Sequence, residues 1–409
     1  MCAAVRQPAS LLARYGLAAM LLACSGGSNE GSPGAPEATA PPVEVIRTAL
    51  LDAHPAADGV AIIEAVFPSP ARGEDAAVTI AHTTGRVGAE GHALAVYRAE
   101  GGVWLDLARE DEKLPSALDD GALEVVEVTP DRLWFALSGR DAAGSDVIQL
   151  WSFNRSTLVR EAEAVAPERG AVVLRDLDGD GIPELYEETV GEPLLDPDSG
   201  VAERSYRLQR WDGAAYSLVD YWLLTPEESD ASDEVGGAFE LVDAGLWVDA
   251  AAAMDEAAAV DAANEVVHWD GALIRLTAEG RMAAARESEL PLLGLVLAGA
   301  YEDAVDLLRG YTPEELFDGA DVWLASTPAE GRIEEFAQLL IDYSDRAVAE
   351  REDGAAAYFI GGVGRYLRDP NDVVEARAFV RQALDLEPYD ALYNKSTSFL
   401  HSIPAPAAP

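Results

Sequence analysis

The most chemically specific stretch of this sequence is D-L-D-G-D-G-I-P-E-L-Y-E, residues 176–187. It places Asp176, Asp178 and Asp180 at alternate positions, and Glu184 follows shortly after them. Carboxylates so close together repel one another unless water or a cation lies between them. Calcium takes about six to eight oxygen ligands and tolerates irregular geometry, so one short acidic loop can supply several of them. The stretch therefore predicts a calcium site.

The pattern Asp-x-Asp-Gly-Asp-Gly-x-x-Glu-Leu, which lies between two predicted strands, resembles the calcium loops of FG-GAP and VCBS repeat proteins. Those loops belong to the blades of integrin-like propellers. The resemblance implies a structural Ca²⁺ bound by the side chains of Asp176, Asp178, Asp180 and Glu184 and by the backbone carbonyl of Ile182. The sequence departs from the family at Glu184, where an Asp is usual.

Two alternatives to this loop remain open from the sequence. An EF-hand fits by counting, because Glu187 is the twelfth residue from Asp176. That motif needs flanking helices, whereas Ala-Val-Val-Leu before the acidic stretch and Pro183 within it favour strand, loop and strand. The other alternative is a solvated acidic turn without an ion. We expect a static ion that stabilises the fold.

Strand patterns surround this loop from about Gly59 to Glu279. Four hairpin-like segments recur there, with turns near residues 101, 155, 213 and 271, so their spacings are 54, 58 and 58 residues. Each segment is an apolar strand, a polar turn and a second strand, and a further strand pair precedes it. A steady period indicates repeated units, and four strands per repeat are typical of propeller blades. The acidic loop is a turn of the third repeat.

The predicted strands have the following ranges. The four hairpins are 93–107, 147–161, 206–220 and 265–277. The four preceding pairs are Val60–Val66 with Ala77–His82, Leu123–Val128 with Leu133–Leu137, Ala171–Arg175 with Glu184–Thr189, and Ala238–Val242 with Leu246–Ala250. These strands, together with a short helix predicted at Val43–Ala53, define an all-β, four-repeat, propeller-like domain over residues 43–280.

Beyond about Gly280 the apolar residues follow a helical period, which predicts an all-α domain over residues 281–402. Thr312-Pro313-Glu314-Glu315 and Thr327-Pro328-Ala329-Glu330 each place Thr at N-cap, Pro at N1 and Glu at N3, so both predict a capping box. An apolar stripe on the following helix is formed by Phe336, Leu339, Leu340 and Tyr343.

A further pattern in this domain resembles the tetratricopeptide (TPR) repeat, with aliphatic residues at positions that are usually aromatic. Its residues are Ile360, Val363, Gly364, Leu367, Ala376, Val380, Ala383 and Pro388. Small residues at such positions let two paired helices approach closely. The resemblance implies a short, degenerate TPR-like solenoid, and a generic helical bundle is the alternative.

The N-terminus predicts export and a lipid anchor. Arg6 and Arg14 form a positively charged segment, and the apolar run at 15–23 is too short to span a bilayer. It ends in Leu21-Leu22-Ala23-Cys24, which resembles a bacterial lipobox. The resemblance implies cleavage before Cys24 and lipid attachment to its thiol. An ordinary secretory peptide that contains a cysteine is the alternative.

The segments outside the two folded domains are predicted as follows. Residues 1–23 form the signal peptide, residues 24–42 the lipidated Cys and a Gly/Ser- and Pro/Ala-rich disordered tether, and residues 403–409 a disordered tail. Ser25, rather than Asp, after the lipidated cysteine favours the outer membrane of the bacterial envelope over the inner membrane by the family's sorting habit.

The composition excludes some partners. The chain has 73 Asp and Glu against 29 Lys and Arg, a formal net charge of −44 at pH 7. Nucleic acids bind to basic patches, so no nucleic acid is expected as a partner. The two cysteines are Cys2 and Cys24, so the mature chain would have neither a disulfide nor a cysteine metal site.

No catalytic motif accompanies the calcium loop. The five histidines are scattered, and the sequence has no G-x-S-x-G, P-loop, H-E-x-x-H or dinucleotide fingerprint. We therefore expect a membrane-anchored envelope lipoprotein that is not an enzyme and that binds a protein or polysaccharide partner as a scaffold. The alternatives are a carbohydrate-active hydrolase with acids on the repeat loops and a purely structural spacer.

Overall fold

The computed structural model describes residues 41–67, 76–86, 91–111, 114–195, 199–219, 233–260, 265–317, 323–371 and 373–404. The predicted signal peptide, Cys24, nearly all of the tether and most of the tail lie outside these ranges, so these features remain predictions. Within the described ranges, no helix has both the length and the apolar character needed to cross a membrane.

The part of the chain up to Val219 consists of one helix followed by strands. Its elements are α1 (Glu44–Ala53), β1 (Gly59–Phe67), β2 (Ala76–Arg86), β3 (Leu94–Glu100), β4 (Val103–Glu110), β5 (Ala117–Leu118), β6 (Leu123–Val126), β7 (Leu133–Arg140), β8 (Asp146–Phe153), β9 (Leu158–Val165), β10 (Gly170–Arg175), β11 (Glu184–Pro193), β12 (Ala202–Trp211) and β13 (Tyr216–Val219). The predicted helix at Val43–Ala53 is confirmed.

The strands form three successive four-stranded antiparallel meanders, β1–β4, β6–β9 and β10–β13. The strand pairs predicted for the first three repeats are therefore confirmed, for example with Val60 opposite Thr83. The short β5 pairs with both β2 and β7, so the first two meanders share one nine-stranded sheet. The third meander is a separate four-stranded sheet. Closure into a propeller remains a proposal.

Aromatic side chains pack the third meander against the second. The ring centroids of Trp134 and Trp211 lie 5.0 Å apart, and Tyr216 lies 5.7 Å from Trp211. Trp134 and Trp151 are both only 1% exposed. Truncating a buried ring of this size to Ala typically costs about 3–5 kcal/mol. Trp151 is thus a core residue, and the partly buried Trp211 packs at the contact between the two meanders.

The fourth predicted β-repeat is wrong, because its residues form α2 (Asp233–Asp243), α3 (Trp247–Val260) and α4 (Glu265–Glu287). The buried residues Val235, Ala238, Phe239 and Val242 follow the spacing of a helix face, and α3 is rich in alanine, the best helix former. The helical part therefore begins at Asp233, well before the predicted boundary at residue 280. The coarser prediction, an all-β region followed by a helical region, is confirmed.

The remaining helices of the described chain complete the C-terminal region. They are α5 (Pro291–Ala298), α6 (Tyr301–Leu308), α7 (Pro313–Phe317), α8 (Ile333–Glu350), α9 (Ala355–Arg368), α10 (Val373–Leu386) and α11 (Ala391–Ser402). The predicted stripe on α8 is confirmed, since Phe336 and Leu340 are fully buried and Tyr343 nearly so.

One of the two predicted capping boxes forms. At the start of α7, the Thr312 N–H donates to Glu315 Oε2 at 2.8 Å, and the Glu315 N–H donates back to Thr312 Oγ1 at 3.3 Å. The box at Thr327 is wrong, because residues 327–331 form turns and α8 begins only at Ile333. Gly331 has a φ of 78°, a conformation that ends a right-handed helix.

Glycines let α9 pack tightly against two neighbouring helices. A Cβ added to Gly362 would lie 2.6 Å from Val380 Cγ2 on α10. A Cβ added to Gly364 would lie 3.1 Å from the Ala337 carbonyl oxygen on α8. The predicted role of small residues in close helix packing is confirmed for Gly364, and Gly362 has the same role. The TPR-like interpretation remains a proposal.

Candidate metal centre

The acidic loop joins β10 to β11, so the predicted arrangement of strand, loop and strand is confirmed. Arg175 pairs with Glu184 at the base of the loop. Gly179 and Gly181 have φ values of 80° and 89°, which glycine adopts without the steric penalty of a side chain. These two residues let the chain bend tightly enough to bring its carboxylates together.

Backbone amides of the loop donate to its own aspartates. Asp176 accepts from the Gly179 N–H at 2.7 Å and from the Gly181 N–H at 3.1 Å. Asp178 accepts from the Asp180 N–H at 3.0 Å. Hydrogen bonds of this kind favour the ionised form of a carboxylate and fix its direction. The loop therefore presents oriented carboxylate oxygens before any ion is considered.

Three of the predicted ligands converge. Asp176, Asp178 and Glu184 each offer one carboxylate oxygen, and these oxygens lie within 4.8 Å of one another. Calcium–oxygen bonds are about 2.3–2.6 Å long, so two ligands on opposite sides of one ion lie up to about 5 Å apart. The separation and the all-oxygen donor set both fit Ca²⁺.

Glu184 is the unusual member of this set, because it is only 1% exposed. Its Oε2 accepts from the Leu177 N–H at 2.7 Å. In the described part of the chain no Arg, Lys or His forms an ion pair with it. A buried carboxylate without a counter-charge is costly unless it is protonated or bound to a cation.

The electrostatics of the site point the same way. Burial, with smaller contributions from the neighbouring Asp178, Asp180 and Asp176, raises the pKa of Glu184 to about 8, against the effect of the Leu177 amide. Burial also raises the pKa of Asp178, with added contributions from Asp180 and Asp176. A dication would remove this mutual repulsion, so these carboxylates have a physical reason to bind one.

The structure does not place every predicted ligand in this set. The Asp180 carboxylate lies outside the three-oxygen cluster and accepts from the Ile182 N–H at 2.6 Å. The side chain of Ile182 packs in the apolar cluster around Trp134 and Tyr216. Ligation by Asp180 and by the Ile182 carbonyl therefore remains a prediction that the resemblance alone supports.

The EF-hand alternative is wrong, because strands rather than helices flank the loop. Glu187 lies three residues after Glu184 on β11, so the two side chains project from opposite faces of the sheet. Arg207 Nη1 lies 3.7 Å from Glu187 Oε2. Glu187 thus pairs with Arg207 on the face of the sheet opposite to that of Glu184.

Two residues that hold the loop were not predicted. Tyr216 donates its hydroxyl hydrogen to the Pro183 carbonyl at 2.8 Å, and Leu177 supplies the amide bound by Glu184. Tyr216 follows the Trp-Asp-Gly turn that begins at Trp211, so the hairpin was visible in the sequence. Its contact with the loop depends on the pairing order of the four strands, which no local pattern reveals.

Comparisons with known proteins identify no relative. No protein-family model, no curated protein and no solved structure matches this chain.

Proposed function

We propose that this protein is a lipid-anchored envelope protein that acts as a non-enzymatic binding or scaffold module, with a β region stabilised by Ca²⁺. The anchor rests on the lipobox-like sequence that ends at Cys24. The binding role, towards a protein or polysaccharide, rests on the extended β and helical surfaces and on the lack of a catalytic motif in the sequence. The outer membrane remains the favoured location, on the evidence of Ser25.

One observation carries the calcium part of this proposal. Glu184 is buried, faces the carboxylates of Asp176 and Asp178, and lacks a cationic side-chain partner among the described residues. A solvated acidic turn would leave all its acids in water, where mutual repulsion is weak. Burial of one of them needs compensation, and Ca²⁺ supplies it with the oxygen ligands that the loop offers.

Calcium-dependent melting of the purified protein tests this proposal. Ca²⁺ at 100 times its dissociation constant should stabilise the folded protein by about 2.7 kcal/mol, which appears as a rise in Tm. The double variant Asp176→Asn, Asp178→Asn should lose this rise. The matched control is Asp119→Asn, Asp131→Asn, which removes the same charge from exposed positions and should keep it. An equal rise in wild type and Asp176→Asn, Asp178→Asn would refute the site.

The hydrolase alternative finds little support in an acidic cleft of the helical region. A cleft of about 380 Å³ is lined by Asp249, Glu302, Asp303, Asp353 and Glu387. Arg351 neutralises two of them, Asp249 at 2.7 Å and Asp353 at 3.4 Å. Of the described residues that line the cleft, Tyr301 is the only aromatic one, and its side chain is buried. The cleft thus offers no exposed ring on which a sugar could stack.

A further inference from the structure

A groove of about 590 Å³ is lined by β6, by the turn that follows it and by part of the acidic loop. Two exposed apolar side chains lie in it: Val66 of β1 is 57% exposed, and Val125 of β6 is 42% exposed. Pro130 and Ile182 line the same groove. Single exposed valines are common, but apolar side chains that share one groove mark a surface for a partner.

One edge of β6 is open. Within the described ranges, β6 pairs with β7 alone. The Ser138 N–H donates to the Ala122 carbonyl at 2.7 Å, so the residue just before β6 directs its backbone at β7. This direction alternates from residue to residue in an antiparallel pair. The N–H and C=O groups of Leu123 and Val125 therefore point away from β7, to the open edge.

The end of β1 brings a second open edge to this groove. Of the described strands, β1 pairs only with β2, and Val60 lies opposite Thr83. The Thr83 N–H donates at 3.0 Å to the Ala93 carbonyl, next to β3 and thus on the other side of β2. The Val60 carbonyl instead accepts from Arg47 Nη1 at 2.6 Å. Val60 therefore points away from β2, and by alternation the backbone of Val66 does too.

Neither edge has the features that usually protect a strand from further pairing. β1, with the sequence GVAIIEAVF, has a regular register with β2, one charged residue and no proline. β6, with the sequence LEVV, also has one charge and no proline. Natural edge strands are commonly blunted by lysine, proline or a bulge. Both edges thus keep the ability to pair with a further strand.

The charge of the groove indicates which kind of strand it would accept. Arg132 lines the groove, but its guanidinium pairs with Glu161 at 2.9 Å. Glu127 and Asp180 also line the groove, and neither forms an ion pair with another residue of the described chain. The groove therefore combines apolar walls with uncompensated negative charge, which complements an apolar segment that carries basic side chains.

We propose that an extended segment of a partner protein binds in this groove by adding a strand to the open edge of β6. Its backbone bonds to Leu123 and Val125, and its apolar side chains contact Val66 and Val125. Lysine or arginine side chains between them pair with Glu127 and Asp180. This inference rests on the binding role of the proposed function, for which it selects a protein rather than a polysaccharide, and it does not use the calcium site.

Peptide binding to the purified full-length protein tests this inference. The probe is a dye-labelled peptide of about eight residues in which lysine and valine alternate, long enough to pair along β6. By fluorescence anisotropy it should bind at least about tenfold more tightly than the same peptide with glutamate in place of lysine. Val125→Pro should weaken binding about tenfold, because proline removes an N–H that faces the open edge and leaves the bonds to β7 in place. The matched control Val125→Thr keeps the N–H and the β-branched shape, so it should bind like wild type.

Amide exchange followed by NMR tests the same contact without a substitution. In the free protein the amides of Leu123 and Val125 should exchange fast, because they point to the open edge. The lysine–valine peptide should slow their exchange at least about tenfold. The amides of Glu124 and Val126, which the alternation directs at β7, should change much less.

Binding that leaves the Leu123 and Val125 amides unprotected, or unchanged binding by folded Val125→Pro, would overturn the inference and place the peptide elsewhere on the acidic surface. Equal binding of the lysine and glutamate peptides would also overturn it. So would protection of these amides in the free monomer, or only in a dimer formed at high concentration, because the chain itself or a second copy would then cover the edge. Wild-type protein that binds neither peptide would overturn the strand addition and leave the scaffold role to another surface.

Discussion

Two buried histidines of the first meander predict a loss of stability at mildly acidic pH. His82 and His92 are 1% and 0% exposed. His82 donates from Nδ1 to the Thr83 carbonyl at 3.1 Å, and His92 Nδ1 lies 2.9 Å from Thr83 Oγ1. Among the described residues, the buried Nε2 atom of His82 has no hydrogen-bond partner. A proton added to either buried ring would therefore place a charge in the core, away from water.

The sign of the effect follows from the pKa shifts. Burial lowers the pKa of His82, helped by His92 and opposed by the Thr83 carbonyl and Asp120. Burial also lowers the pKa of His92, helped by His54 and opposed by nearby backbone carbonyls. Both rings are neutral in folded and unfolded chains well above pH 6.5. Below pH 6.5 the unfolded chain takes up protons that the folded chain does not, so stability falls as the pH falls.

While the two rings stay neutral in the folded chain, the size of this loss of stability depends only on how strongly the unfolded chain binds protons. At pH 5.5, one unit below the ordinary histidine pKa, each ring lowers the free energy of unfolding by about 1.4 kcal/mol relative to pH 7.5. The two rings together lower it by about 2.8 kcal/mol. The contribution of the two neutral rings to the free energy of unfolding is therefore fully present above the unfolded-state pKa and decreases progressively below it.

Urea denaturation followed by tryptophan fluorescence at pH 7.5 and pH 5.5 measures this difference. His82→Gln and His92→Gln should each remove about 1.4 kcal/mol of the pH-dependent loss, whatever fixed cost each substitution adds at both pH values. The carboxylates titrate alike in every variant, so only the difference between variants is interpreted. His401→Gln, at an exposed position of α11, is the control and should keep the wild-type pH dependence. The same pH dependence in wild type and both buried variants would refute the reasoning.

Two further predictions concern the helical region and the N-terminus. Gly362→Ala should destabilise the protein by about 1–3 kcal/mol in urea denaturation, because its Cβ would lie 2.6 Å from Val380 Cγ2. The control is Gly236→Ala in α2, where nothing lies within 4 Å of the added Cβ. It should stabilise the protein by up to about 1 kcal/mol. Equal changes in the free energy of unfolding of the two variants would contradict the packing argument. Cys24→Ala in a bacterial host should abolish palmitate labelling and move the protein from the membrane to the soluble fraction, and labelling that persisted would exclude the lipid anchor.

The strand pattern and the acidic loop could be predicted because both depend on local order. The spacing of Asp176, Asp178 and Glu184 determines that their side chains can meet on one tight loop, and the structure brings them together. Strand alternation likewise predicted the pairing of β10 with β11. The position of Asp180 outside the cluster could not be predicted, because it depends on the hydrogen bond to the Ile182 amide.

The fourth repeat shows where a local motif misleads. In the β-hairpin, Asp212 accepts from the Ala214 and Ala215 amides, both at 2.9 Å, and so forms the turn after Trp211. The same Trp-Asp-Gly tripeptide recurs at residues 269–271, but there it lies inside α4, with Gly271 close to Met254 of α3. A tripeptide permits a turn, whereas the apolar spacing over a longer segment determines whether a turn or a helix forms.

The contacts of the acidic loop show which parts of the fold the proposed ion would stabilise. Ile182 packs against the apolar cluster that contains Trp134 of the second meander, and Leu177 packs against the cluster that contains Leu273 of α4. The proposed ion would therefore stabilise a loop that contacts both the sheet before it and the helix after it.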